Sequence, residues 1–185
     1  MLPYVSQRID VGDLVATFML AGMIIDTQRW RVRTGSRTYE AASTLRQMGA
    51  DPQLAYDFLK DTFDEFSLKS AVMSASERYD HGVVIVPFTE QSISRTMISQ
   101  VADDLLSIQG VQAAFVIADT GSDTNISARS DGTINVQRIM EKLGGGGHLT
   151  SSAVQRDDRN VIEMKQELLA AIEEYFKEDT DESHT

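Results

Sequence analysis

The fold of the second half of the chain is decided by residues 81–118, HGVVIVPFTEQSISRTMISQVADDLLSIQGVQAAFVIA. Two apolar runs, residues 83–86 and 113–118, have the length and composition of strands that are buried on both faces. Pro87 is expected to end the first strand. Residues 93–106 have helical periodicity, and Gly110 follows this predicted helix. A strand, a helix and a second strand in this order predict a small layered α/β domain.

The alternation of strands and helices continues to the end of the chain. A hairpin turn is predicted at residues 119–125, a strand at 126–130, a turn at 131–132 and a helix at 136–143. Four glycines and a histidine follow, then a short strand at 153–155 and a last helix at 161–176. The acidic run from residue 178 to residue 182 is predicted to be a frayed, solvated tail.

The first half of the chain is predicted to be mostly helical. Helices are expected at residues 5–25, 38–48 and 64–78, and another begins at Pro52 with Asp51 as its N-cap. A short strand is predicted at residues 29–33. The apolar run at residues 14–25 is shorter than the roughly 20 residues that cross a bilayer, so no membrane contact is expected. The change from a nearly all-helical pattern to alternating strands and helices predicts a domain boundary near residues 79–82.

Composition restricts the classes of function. The 185 residues include 28 acidic and 17 basic side chains, which give a formal net charge of −11. Such a chain repels long polyanions, so sequence-independent binding of long nucleic acid is not expected. Binding of a small anion by local arginines and backbone N–H groups is compatible with this charge. The chain has no cysteine, which excludes disulfides and thiolate chemistry and fits a cytoplasmic location.

The glycine run is the first candidate for chemistry. Ordering four consecutive glycines costs more entropy than ordering other residues, so the run indicates a close backbone approach or left-handed φ angles. A cradle of backbone N–H groups for a phosphate would explain the run, and the following histidine could donate to a phosphoryl oxygen or protonate a leaving oxygen. A flexible loop with an incidental histidine is the alternative. The residues are Gly144, Gly145, Gly146, Gly147 and His148.

The strand before the glycine run is the second candidate. Strand alternation places Ser127 and Arg129 on one face, and Ser130 precedes the turn. An arginine beside a hydroxyl suits bidentate recognition of a phosphate. An edge-strand arginine in solvent is the alternative.

These motifs, in this order, resemble a known family. Residues 127–132, SARSDG, and residues 144–148, GGGGH, resemble the DHH-associated domain of DHH phosphoesterases. Residues 19–27, MLAGMIIDT, and 33–38, RTGSRT, resemble the end of the DHH domain itself. The resemblance covers almost the whole chain and is strongest to cyclic-di-AMP phosphodiesterases of the GdpP (YybT) type.

The resemblance implies an α/β fold in which a helical remnant of a DHH domain, residues 1–62, is joined to a small mixed-sheet DHH-associated domain. A connecting helix at residues 63–80, a substrate-binding domain at 81–177 and an acidic tail at 178–185 complete this division. The resemblance also implies that Asp26 ligates one of two manganese ions, which would activate a water. Read alone, Asp26 is equally a helix-ending aspartate. Arg33 and Arg37 are expected either to face phosphate or to be structural, and Trp30 and Tyr39 either to pack in the core or to stack on adenine.

The chain also departs from the family pattern. No histidine precedes Asp26, and the family's other metal motifs are absent from this sequence, so the chain is expected to be a fragment that needs the missing N-terminal half of the DHH domain. A homodimer is a further possible partner arrangement. Three functions stay open: half of a phosphodiesterase that converts cyclic-di-AMP to linear pApA, a module that binds a cyclic or linear dinucleotide without hydrolysis, or a nuclease relative acting on short oligonucleotides.

Overall fold

The computed structural model describes residues 12–182 and divides the chain into two compact units, Met1–Thr62 and Phe63–Thr185. In its described part, the first unit has helices α1 (Asp13–Asp26), α2 (Ser36–Gln47) and α3 (Pro52–Asp57). Buried side chains of all three helices form one core, including Leu20, Leu45 and Ala55. The Asp51 carboxylate accepts from the backbone N–H of Gln53 at 2.8 Å, so this residue caps α3 as predicted.

The strand predicted at residues 29–33 is wrong, because the chain makes a left-handed turn there. Gln28, Arg29 and Trp30 have φ angles of 46°, 57° and 68°. The Thr27 hydroxyl ends α1 by donating to the Met23 carbonyl oxygen at 2.7 Å and by accepting from the Trp30 N–H at 3.1 Å. Hydrogen bonding at the helix end therefore sets the backbone of this segment, which the apolar residues had suggested to be extended.

The second unit is an α/β domain. Its helices are α4 (Phe63–Ser74), α5 (Arg95–Leu105), α6 (Val136–Lys142) and α7 (Val161–Glu182). Its strands are β1 (Glu77–Arg78), β2 (Val83–Phe88), β3 (Ala113–Asp119), β4 (Thr124–Ser130), β5 (Gly146–His148) and β6 (Ser151–Arg156). The strands form one sheet in the order β1-β2-β3-β4-β6-β5, in which β2 and β3 are parallel and the other neighbours are antiparallel. The predicted mixed-sheet α/β class is confirmed.

Helices cover the two faces of the sheet unequally. On one face, α6 and α7 pack against side chains that include Phe115, Ile126 and Val154. On the other face, α4 and α5 pack against side chains that include Val86 and Val116. The β6 side chains directed to this second face are exposed or half-buried, so the cover ends at β4. One end of this face is therefore open to solvent.

Three expected boundaries differ in the structure. The second unit begins at Phe63 rather than near residues 79–82, because α4 packs into the sheet core through Val72. Pro87 lies inside β2, at a point beyond the short pairing with β1, where its missing N–H disrupts no ladder bond to that strand. The last helix continues to Glu182, and Glu178 accepts from Arg138 and Lys142, so the acidic run does not begin as a free tail.

No helix within residues 12–182 is long and apolar enough to cross a membrane.

Candidate functional site

Strand register brings the predicted site residues of the second unit into two rows on the open sheet face. Arg129 of β4 lies opposite Ser151 of β6, which lies opposite His148 of β5. Residues directly opposite each other in antiparallel strands project to the same face of a sheet. Arg129, Ser151 and His148 therefore form one row.

The second row lies beside the first. Ser127 of β4 is opposite Ala153 of β6, which is opposite Gly146 of β5. Neighbouring strands are about 4.8 Å apart, so each row spans about 10 Å from β4 to β5. We call the exposed face of Gly146, His148, Ser151 and Ala153 the ledge. Arg129 and Ser127 border it where α5 begins to cover the sheet.

Arg129 is held in place by two hydrogen bonds. Its Nε donates to Asp103 Oδ1 on α5 at 3.0 Å, and its Nη1 donates to the Ala128 carbonyl oxygen at 3.0 Å. The side chain is 18% exposed, so the guanidinium lies at the border between the core and the ledge rather than in bulk solvent. The alternative of a solvated edge-strand arginine is wrong, because β4 is an inner strand and Asp103 binds this side chain.

The two serines predicted to lie at the site with Arg129, Ser127 and Ser130, are in different environments. The Ser127 hydroxyl is 2.9 Å from the Ser99 hydroxyl of α5, on the same face as Arg129. Ser130 projects to the opposite face, where its hydroxyl accepts from the Gly132 N–H at 3.2 Å and the residue is buried. The structure therefore does not bring Ser130 to the ledge, and it stabilises the turn after β4 instead.

The first two glycines of the run end α6. Gly144 has φ +81°, its N–H donates to the Glu141 carbonyl oxygen at 3.0 Å, and the Gly145 N–H donates to the Met140 carbonyl oxygen at 2.9 Å. This pair of bonds is the Schellman motif, which favours glycine at the left-handed position. The run therefore follows a helix C-terminus and continues as a strand. The N–H groups of Gly144 and Gly145 already donate to carbonyl oxygens of α6, so the structure does not leave these two for a phosphate cradle.

Close packing against β6 explains two of the glycines. A Cβ on Gly145 would clash with the Ala153 carbonyl oxygen and lie 2.7 Å from the Val154 Cβ. A Cβ on Gly147 would lie 2.6 Å from the Ser152 Cα, and this residue also has φ +149°. Gly146 has neither restriction, since nothing lies within 4 Å of an added Cβ and its φ is not in the left-handed region. Gly146 is thus the member of the run whose missing side chain is unexplained by the fold.

His148 lies at the end of the ledge on the edge strand. Its carbonyl oxygen accepts from the Ser152 hydroxyl at 3.0 Å, which fixes the backbone, while the residue itself is exposed. An exposed imidazole in this position can donate to an oxyanion that lies on the ledge or can transfer a proton to it. Together with Arg129, it places one donor at each end of a row about 10 Å long.

The candidate residues of the first unit lie around the end of α1. Asp26 is exposed and lies 3.4 Å from the Nη1 of Arg33, which is also exposed. Arg33 has φ +54°, a strained conformation for a residue other than glycine, and Arg37 is exposed on the first turn of α2. Among residues 12–178, whose side chains the structure describes, no three His, Cys, Asp or Glu side chains cluster as a metal site.

The two aromatic candidates of this unit stack on each other. The ring centroids of Trp30 and Tyr39 are 5.8 Å apart, and Trp30 Nε1 donates to the Tyr56 hydroxyl at 3.3 Å. Trp30 packs against the core of the first unit. Tyr39 is 54% exposed, so core packing does not describe it.

Several residues of the site were not found from the sequence. Ser151 and Ala153 of β6 reach the ledge only through strand register. Ser99 and Asp103 of α5 contact Ser127 and Arg129. Their spacing of four residues places both on one side of α5, but a polar side opposite an apolar one ordinarily faces solvent, so the sequence carries no signal that these residues meet β4.

Known proteins are similar to this chain in sequence and in fold. The chain is 42% identical over 179 residues to the cyclic-di-AMP phosphodiesterase GdpP of Geobacillus thermodenitrificans, a match that covers 96% of this chain and 27% of that protein. It is 45% identical over 172 residues to the cyclic-di-AMP phosphodiesterase PdeA of Listeria monocytogenes, covering 92% and 26%. The chain therefore spans about a quarter of the length of these relatives.

A solved structure shares the fold. An exopolyphosphatase-related protein from Bacteroides fragilis superposes with a TM-score of 0.78 at 19% identity, over 96% of this chain and 54% of that one. The profile of the DHHA1 domain matches residues 52–178, which include all six strands and the ledge. This match covers more than half of the 185-residue chain, and the chain therefore belongs to the DHHA1 domain family.

Proposed function

We propose that this chain supplies the phosphate-binding part of a metal-dependent phosphodiesterase that hydrolyses a cyclic dinucleotide, cyclic-di-AMP to linear pApA, and that the chain alone does not turn it over. The observation that carries the proposal is the pair of rows formed by the ledge and the two residues that border it. A cationic donor, Arg129, and an imidazole, His148, stand at the two ends of one row, with the side-chain-free backbone of Gly146 beside it. The identity to cyclic-di-AMP phosphodiesterases supports the choice of ligand.

Each residue has a role in this proposal. Arg129 binds a phosphate oxygen by a charge-assisted hydrogen bond. Gly146 lets the sugar-phosphate backbone lie against the sheet, and Ser151 offers a hydroxyl between Arg129 and His148. His148 donates to a phosphoryl oxygen and, during hydrolysis, protonates the leaving oxygen.

The metal is a separate part of the proposal. Asp26 would supply one carboxylate ligand, and manganese suits such oxygen ligands. Asp26 is paired with Arg33, and the side chains that the structure describes, those of residues 12–178, include no cluster of three potential ligands, so they do not fit a two-metal site by themselves.

The proposal is tested by calorimetric titration of cyclic-di-AMP and pApA into the full 185-residue chain. We expect both ligands to bind, and Arg129→Ala and His148→Ala each to weaken binding by about tenfold or more, since a hydrogen bond to a charged group contributes about 1.5–3 kcal/mol. Arg138→Ala is the matched control, because it also removes one positive charge. Arg138 lies on α6, away from the ledge, and pairs with Glu178 of α7. Unchanged affinity in both Arg129→Ala and His148→Ala would place the ligand elsewhere.

The same preparation tests for turnover by the chain alone and separates dinucleotide binding from a nuclease-like preference for longer strands. Incubation of cyclic-di-AMP with the chain and Mn²⁺, followed by chromatography, is expected to give no pApA. Turnover by this chain would overturn the expectation that it is inactive alone. Strong, salt-sensitive binding of a long single-stranded oligonucleotide in preference to the dinucleotide would favour a nuclease relative instead.

A further inference from the structure

Helix α5 carries a polar stripe that contacts the β4 end of the sheet. Arg95, Ser99 and Asp103 are spaced four residues apart and therefore share one side of the helix. Arg95 Nη2 donates to Asp123 at 2.8 Å, the Ser99 hydroxyl meets Ser127, and Asp103 accepts from Arg129. The stripe thus contacts both residues that border the ledge.

The hydrogen-bond donors of Arg129 are unevenly used. A guanidinium has five N–H donors in a fixed plane. Nε donates to Asp103 and Nη1 to the Ala128 carbonyl oxygen, which fixes that plane. Nη2 has no acceptor among the residues that the structure describes. These two hydrogen bonds therefore fix the orientation of the guanidinium, while its Nη2 can still donate to a ligand.

We propose that Asp103 is a positioning residue that orients Arg129 for a ligand phosphate without touching the ligand; this rests on the proposed function of the ledge. A free arginine must fix its side-chain torsions when it binds a phosphate, and this loss of freedom weakens binding. Asp103 fixes them beforehand.

A carboxylate near a phosphate site also repels the ligand, so the sign of the effect has to be decided. Asp103 contacts the Nε of the guanidinium, and its side chain is 29% exposed, so solvent screens its charge. Its contact with Arg129 is direct, at 3.0 Å. Positioning is therefore expected to outweigh repulsion.

The test measures the dissociation constant of cyclic-di-AMP for Asp103→Ala and Asp103→Asn of the full chain. We expect Asp103→Ala to weaken binding by roughly tenfold, because a freed arginine loses rotamer freedom on binding. Asp103→Asn keeps an oxygen acceptor for Nε and is expected to restore most of the affinity. Asp104→Ala is the matched control on the same helix, since Asp104 pairs with Lys69 at 3.6 Å and not with Arg129.

A second background separates positioning from a general effect on the fold. In Arg129→Ala, the further change Asp103→Ala is expected to leave the dissociation constant unchanged, whereas a merely structural role would weaken binding in both backgrounds. Urea unfolding of each variant verifies that it is folded. Equal or tighter binding by Asp103→Ala in the wild-type background overturns the inference while the proposed function stands. Absence of binding by the wild-type chain overturns the proposed function itself.

Discussion

Substitution by alanine is expected to affect protein stability differently at each glycine of residues 144–147. Gly146→Ala is the most informative variant. An added Cβ at Gly146 meets nothing within 4 Å, and its backbone is not left-handed. Alanine in place of glycine at such a position restricts the unfolded chain and stabilises a protein by about 0.4–1 kcal/mol. We therefore expect Gly146→Ala to unfold at the same or a slightly higher urea concentration than the wild type.

Ligand binding should change in the opposite direction. The new methyl group would occupy the ledge where the ligand backbone is proposed to lie, and it would hold the phosphate away from its donors. Loss of one charge-assisted hydrogen bond, about 1.5–3 kcal/mol, raises the dissociation constant for cyclic-di-AMP roughly tenfold to hundredfold. Calorimetry measures this affinity on the same sample that is used for urea unfolding.

Gly145→Ala is the matched control on the neighbouring residue. Its Cβ would lie 2.7 Å from the Val154 Cβ and would clash with the Ala153 carbonyl oxygen. Overpacking of this kind costs about 1–3 kcal/mol, so this variant should lose stability. A stable Gly146→Ala variant that binds cyclic-di-AMP as tightly as the wild type would refute the reasoning, because the missing side chain would then have no role at the ledge.

The remaining predictions concern the first unit and the response to acid. Asp26→Ala should leave the affinity of this chain for cyclic-di-AMP within about twofold, since its only described ion pair is with Arg33 and its proposed partner is a metal; a large loss in calorimetry would mean that Asp26 contacts the ligand. The pKa of Asp158 is lowered to about 2, mainly because Arg156 donates hydrogen bonds to it. Because its folded pKa lies below its ordinary value of 3.8, the stability it contributes is present above pH 4 and is lost as pH falls towards 2. Unfolding by urea at pH 5 and pH 3 should therefore show a smaller loss on acidification for Asp158→Asn than for the wild type, and parallel losses would contradict this assignment.

The sequence predicted the sheet core well because burial on both faces leaves a direct pattern. The apolar runs at residues 83–86 and 113–118 became β2 and β3, and the spacing at residues 93–106 became α5. Hydrogen bonding at chain turns was harder to predict. The left-handed turn at residues 28–30 depends on the Thr27 hydroxyl, and apolar content alone suggested a strand there.

The candidate site could be predicted only in part, because its residues meet through pairing between strands. Alternation correctly predicts Ser127 and Arg129 on one face of β4, and the same alternation directs Ser130 to the other face, away from the predicted site. The partner of each residue on β6 and β5 depends on register, which a sequence of three exposed residues does not specify. Asp103 was visible as part of a stripe on α5, but its partner 26 residues away was not.

The position of Arg129 follows from the unequal cover of the sheet. Because α5 ends its cover at β4, one side of the guanidinium faces a packed helix and the other faces an open sheet surface. A charge at such a border is partly shielded from water, so its hydrogen bonds to an anion are stronger than those of a fully exposed arginine. Its charge is also compensated by Asp103, so that the uncharged core beside it does not have to hold an isolated cation. The same geometry explains why three of the four ledge residues, Gly146, Ser151 and Ala153, can be small, since Arg129 lies at the border of the ledge and the strands supply a flat surface for the ligand.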